Sequence, residues 1–217
     1  MKPSEAKAAH GGLGTPSKMP GSSYGLQALG HCAVGTALSK LPGTTCSSCY
    51  AAKGNYRQPV VRDAHERRAE LMDTHPDWVR AIAWSIERES GGYHRWFDSG
   101  DLRKPGEPIQ KGVERLLKIT AVCRMTPEVK HWLPTREYTV VRQFDRDYTR
   151  PSNLVIRMST SFIGHRTDVG GTGSGVWAEE NRPPSGRLCP APTQGNKCGE
   201  CRSCWDKRVK FVWYRKH

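Results

Sequence analysis

Eight cysteines occur in this 217-residue chain, and seven of them are spaced as metal ligands would be. The C-terminal group reads Cys189-Pro190, seven residues, then Cys198-Gly-Glu-Cys201-Arg-Ser-Cys204. Two-residue gaps let successive thiolates curl around one centre while the intervening backbone N–H groups face the sulfurs. Three cysteines at this interval with a remote Cys-Pro match ferredoxin-type spacing for an iron–sulfur cluster. Tetrahedral zinc held by four thiolates is the competing reading. The N-terminal group is Cys32, thirteen residues, then Cys46-Ser-Ser-Cys49-Tyr50. Three thiolates leave one iron of a 4Fe–4S cluster open to a substrate or cofactor, while His31 as a fourth ligand would make a zinc site instead. Spacing leaves open whether the two groups build separate centres or share one. The eighth cysteine, Cys123, lies in the apolar run Leu116 to Cys123 and reads as a small core residue.

Chemistry without metal has weaker support. Cys49 has no recognisable His partner for nucleophilic catalysis, and His65-Glu66 lacks the second histidine a zinc protease needs. A secreted disulfide scaffold is normally shorter and carries a signal peptide, and Met1 to Gly30 has no apolar signal-like core. No stretch reaches the roughly 18 apolar residues of a membrane span. The expectation is a cytoplasmic protein without membrane attachment.

Elements must carry these groups to one place. Residues 1–30 are rich in Gly, Ser, Ala, Pro and Lys and read as a flexible N-terminal arm. Cys32 to Tyr56 reads as a long functional loop. Helices are expected after Pro59, from Pro76 with Trp78, Ile82 and Ile86 on one face, over Ile109 to Cys123, and over Glu137 to Asp147. Strands are expected at Tyr93 to Phe97, Val129 to Pro134, Asn153 to Met158 and Val209 to Tyr214, with Gly164 to Gly175 poorly ordered. Alternating strands and helices imply βαβ units. The expected fold is α/β, a partial parallel barrel-like sheet with a cysteine-rich C-terminal metal-binding segment. Residues 31–180 would form the main domain, and 181–217 would pack on it.

Such sheets bind ligands at the carboxyl ends of their strands. Three predicted strand ends carry polar residues: Ser99 and Asp101, then Thr135, Arg136 and Glu137, then Ser159 and Thr160. The net charge of +13 is large for this size and favours a phosphate-bearing partner. Arg57, Arg62, Arg67, Arg68 and Arg80 lie around the first helices, and Lys207, Arg208, Lys210, Arg215 and Lys216 interleave with Phe211, Trp213 and Tyr214 near the C-terminus. The latter stripe is either a base-stacking surface or an ordinary strand with Val209, Phe211 and Trp213 turned inward.

Several motifs together resemble a family of phage proteins, the gene-product-88 type, over roughly residues 30–217. They are Cys46-Ser-Ser-Cys49-Tyr50-Ala-Ala-Lys-Gly-Asn-Tyr56, Asp98-Ser-Gly-Asp101, His131-Trp-Leu-Pro-Thr-Arg-Glu137 and the closing Cys189-to-Trp205 segment. Cys46-x2-Cys49-Tyr50 and Ser99-Gly100-Asp101 are also similar in kind to motifs of radical S-adenosylmethionine enzymes. That second resemblance implies a cluster loop entering a partial parallel barrel and a Gly-containing strand end that helps hold the cofactor. Its usual three-residue gap before the C-x2-C pair is thirteen residues here.

Two functions follow as expectations. The first is an iron–sulfur protein acting as a radical S-adenosylmethionine-like enzyme on a nucleotide or nucleic acid. Cys32, Cys46 and Cys49 would hold the open cluster, and Cys189, Cys198, Cys201 and Cys204 an auxiliary one. Asp101 and Glu137 would be the catalytic carboxylates, with Ser99, Gly100, Thr135 and Ser159 contacting the cofactor. The second is a non-catalytic protein, stabilised by zinc or a cluster, that binds nucleic acid or a partner.

Overall fold

The computed structural model describes residues 1–166, 170–181 and 185–216. Among the described residues there are six α-helices and seven strands, with helices and strands interleaved through β4. The helices are α1 (Pro3–His10), α2 (Ala33–Ser39), α3 (Pro59–Thr74), α4 (Trp78–Glu89), α5 (Ile109–Met125) and α6 (Tyr138–Asp147). The strands are β1 (Ser22–Tyr24), β2 (Tyr93–Trp96), β3 (Lys130–Thr135), β4 (Leu154–Ser159), β5 (Thr172–Trp177), β6 (Arg187–Leu188) and β7 (Phe211–Arg215). All seven strands form one sheet in the order β1-β2-β3-β4-β5-β7-β6, and every pairing is parallel. The strands follow chain order except for the exchange of β6 and β7.

Register assigns each side chain to a face. His131, Leu133 and Thr135 of β3 stand with Leu154, Ile156 and Met158 of β4. This face joins Trp96 and Tyr24 and packs against α3 to α6 through Met72, Trp78, Ile82, Ile86, Leu116, Ile119 and Phe144. The apolar stripe read from α4 is therefore the buried one, although the helix begins at Trp78 rather than behind Pro76. The opposite face carries Arg95, Trp132, Arg157, Val212 and Tyr214. Among the described residues no α-helix covers that face. Cys204 and Trp205 do, packed against Trp132 and Val212, with Cys189 and Val209 beside them.

Three sequence expectations need correction. Residues 1–30 are not an extended arm: they contain α1 and β1, and Ala6, Tyr24 and Leu26 are fully buried. The apolar signal was weak because α1 meets α4 through alanines, Ala6 and Ala9 against Ala81, and β1 is only Ser-Ser-Tyr. The cysteine loop contains α2, a helix too short to show periodicity. The Gly-rich stretch expected to be poorly ordered contains β5; its residues 167–169 lie outside the described residues. β5 lacks strand-forming composition because its glycines make room for β7. A Cβ on Gly173 would lie 2.8 Å from the Phe211 ring, and one on Gly175 2.6 Å from the Trp213 ring.

The C-terminal stripe is an ordinary strand. Phe211, Val212 and Trp213 are buried, so Phe211 and Trp213 are not available to stack on bases. Among the described residues no helix is long and apolar enough to cross a membrane.

Candidate functional site

The cysteine loop follows β1 and lies across the carboxyl ends of β2, β3 and β4. At the β2 end, Leu26 N–H donates to Ser99 O at 2.9 Å, Ser99 Oγ returns a bond to Leu26 O at 2.6 Å, and Asp101 N–H donates to His31 O. Gly100 sits between them at φ +83°, where a Cβ would come within 2.6 Å of Leu26 Cβ. Only glycine fits that turn without strain. At the β4 end, Thr45 N–H donates to Ser161 O at 2.9 Å, and Thr44 pairs with Phe162 in an antiparallel bridge.

Asp101 ties the β2 and β3 ends together. One carboxylate oxygen accepts from Thr135 Oγ1 at 2.5 Å and Leu102 N–H at 2.8 Å; the other accepts from Arg136 N–H at 2.9 Å. Burial pushes this carboxyl up to about 6, against the pull of those donors. Glu137 is also buried, paired with Arg103 at 2.9 Å and accepting from Val34 N–H in the first turn of α2 at 3.4 Å. Arg136 reaches the loop itself, with Nη2 on Thr45 Oγ1 at 2.6 Å. Thr135 Oγ1 also accepts from Glu137 N–H, and Ser159 Oγ meets Ser174 Oγ at 3.2 Å. The predicted residues thus gather at one edge. Ser99, Thr135, Asp101 and Glu137, however, use their polar atoms to brace the loop.

Within that loop the first three cysteines converge. A Cβ placed on Gly35 would have both Cys32 Sγ and Cys46 Sγ within 4 Å. Burial pushes the Cys32 thiol up to about 12, with Asp101, Cys49 and Cys46 adding to it. Burial likewise raises Cys46, opposed by the nearby Arg136 guanidinium. The remaining four form a second neighbourhood. Cys198 is raised by burial and by Cys189 and Cys201, and Cys204 is pushed up to about 12 by burial, with Cys189 contributing. Cys201 alone is lowered: burial works against it, but Ser203 and Arg187 outweigh that. Each sulfur's cysteine neighbours belong to its own group, which favours two centres over one shared centre.

Among the described residues no group of three or more His, Cys, Asp or Glu side chains is arranged ready to hold a metal ion. The metal-binding character expected of the C-terminal segment is therefore not visible as a finished site. The donors themselves suit one. All eight cysteines are free thiols, seven of them in the two clusters. Arg95 Nε and Trp132 Nε1 are buried on the face opposite the helices without a hydrogen-bond partner. The Arg95 guanidinium is 4.6 Å from the centre of the Trp132 ring and bonds Tyr50 Oη at 3.3 Å, and its charge acts on Cys198 and Cys204. Buried N–H donors normally find an acceptor, and Cys204 packs against Trp132. His31 directly precedes Cys32 in the loop. Its ring is buried, with Glu66 at 3.7 Å, and it is held down to about 4 first by burial and then by Lys104 and Arg115.

Arg157 was missed on the sequence. Fully buried on the face opposite the helices, it donates from Nε to Cys204 O, from Nη1 to Gly173 O and Val209 O, and from Nη2 to Ser203 O and Asp206 O, at 2.6–3.3 Å. It pins the cysteine segment to the sheet. In sequence it was hidden as one more cation among 34.

Together these features define a parallel α/β protein with a thiol-rich loop at the carboxyl edge of its sheet and a second thiol cluster beneath. A family model, gene product 88, matches residues 2–207, and the chain belongs to that family. The match begins well before residue 30, in keeping with the folded N-terminal segment. No curated protein and no solved structure matches the chain.

Proposed function

We propose that this protein is a cluster-bearing enzyme whose reactive centre is the loop of Cys32, Cys46 and Cys49. The observation that carries the reading is that loop's position: its three thiols converge at the carboxyl ends of parallel strands, where α/β proteins place ligands. Those thiolates would hold a 4Fe–4S cluster, and Cys189, Cys198, Cys201 and Cys204 would enclose a second centre. A cluster held by three cysteines supplies an open iron and a transferable electron. S-adenosylmethionine is the ligand that the resemblance in Cys46-x2-Cys49-Tyr50 implies for it.

In this reading Asp101 and Glu137 are positioning residues. Asp101 locks the β2 and β3 ends through three donors, and Glu137 holds the start of α2 against Arg103. Arg136 offsets the negative charge of the Cys46 thiolate and anchors Thr45. Arg95 does the same for the second group from below.

Anaerobic purification with iron, sulfide and zinc analysis tests the reading. Brown protein with about four irons per occupied centre, a spectrum that responds to S-adenosylmethionine and loss of that response in Cys46→Ala are the expected results. Colourless protein with stoichiometric zinc would overturn it. That outcome would favour the second reading, a non-catalytic protein whose C-terminal segment, poor in regular structure, is held by zinc.

A further inference from the structure

The loops around the first cysteine group differ from the rest of the surface. Leu41, Tyr50, Val60 and Phe162 are four of the seven large apolar side chains that stand exposed among the described residues, and all four lie on or beside these loops. Tyr50 is 49% and Phe162 45% exposed. Tyr50 is fixed at the β2 end by its hydroxyl bond to Asp98 O, while Phe162 is fixed at the β4 end by the bridge to Thr44. Two strand spacings, about 10 Å, separate those ends.

A groove of about 230 Å³ lies beside the same loop, against Ala51 and Ala52, which follow Tyr50 in the chain. It is lined by Gln27 to Gly30, Ala51, Ala52, Tyr56, Arg57 and Arg62. Both arginines are exposed, and neither has a carboxylate partner among the described residues. Unpaired guanidinium groups beside an aromatic ledge complement an extended polyanion with flat bases. Phosphates release counterions to the cations, and bases stack on the rings. A negatively charged peptide would use the arginines but gain nothing from two separated aromatic faces.

We infer that this rim binds single-stranded nucleic acid, with Arg57 and Arg62 on phosphates and Phe162 stacking a base. The inference deepens the proposed function, since it makes a nucleic-acid strand the substrate presented to the Cys32, Cys46 and Cys49 loop.

Fluorescence anisotropy with a labelled single-stranded oligonucleotide across a salt series tests it on the full chain, with metal content measured in parallel. Arg57→Gln with Arg62→Gln should weaken binding and reduce the salt slope by about 1.4, two contacts at about 0.7 each. Phe162→Ala should weaken binding about tenfold or more with the slope unchanged. Circular dichroism confirms that the exposed substitutions leave the fold intact. Equal affinity for poly-glutamate, or wild-type behaviour in both variants, would overturn the inference. So would competition by a nucleoside monophosphate at the oligonucleotide's own concentration. Strand binding by protein that holds only zinc would leave the rim assignment standing and remove the cluster reading, so the two fail separately.

Discussion

Arg157 directs all five of its N–H donors at main-chain oxygens, filling the hydrogen-bonding capacity of a guanidinium. Lysine has three donors on one atom and cannot span that fork. Arg157→Lys should therefore leave buried carbonyls unpaired and cost about 3 kcal/mol, read as a lower urea midpoint. A buried histidine sets an acid limit. Thr126 Oγ1 donates to Val122 O, so His131 Nε2–H must donate to that hydroxyl, leaving Nδ1 as a buried acceptor with no donor. Burial holds His131 down to about 3. Between about 6.5, where an unfolded histidine takes its proton, and that value, the unfolded chain binds more protons. Stability is thus full above the unfolded value and is lost as pH falls through this window. Urea titrations from pH 7 to 4 should show that loss, with a shallower slope in His131→Gln; identical slopes would reject the assignment.

At the level of elements, the close approach of α5 to α6 depends on Gly112. A Cβ there would lie 2.6 Å from Val140 Cγ2 and 2.9 Å from Arg103 Cγ, and Val140 is fully buried. Alanine gains about 1 kcal/mol of helix propensity, but overpacking costs about 1–3 kcal/mol. Gly112→Ala should be net destabilising, by about 1 kcal/mol in thermal or urea unfolding. Arg103 also pairs with Glu137 beneath α2, so the same substitution should loosen the cysteine loop and lower the metal retained after purification. The elements legible in sequence were those with period, α3, α4, α5 and α6 and strands β2, β3, β4 and β7. Those missed were α1, α2, β1, β5 and β6, which are short or are built from glycine, serine and alanine.

For the molecule as a whole, the sheet divides the labour between its faces. Helices cover one with an apolar core, and a segment of little regular structure covers the other through Trp205, Cys204 and the fork of Arg157. A metal in the second group would hold that cover in place, because ligand binding to the folded state adds to its stability. Cys201→Ala should lower the melting temperature of purified protein, while Cys46→Ala, at the open edge, should leave it close to wild type. Equal losses would show that the groups do not divide into a reactive and a structural centre.

Cysteine spacing, strand and helix periodicity and the polar strand ends were set down in the linear chain, and from them came two thiol groups and a parallel α/β sheet. Those features are local: a two-residue gap or a 3.6-residue stripe is complete within a few turns of chain. Folding alone decided that Ser99, Thr135, Asp101 and Glu137 brace the loop, and that Arg95 and Arg157 face the cysteine segment. Such roles depend on which atoms meet across 30 to 100 residues of sequence, and that is fixed by strand register and close packing rather than by residue type.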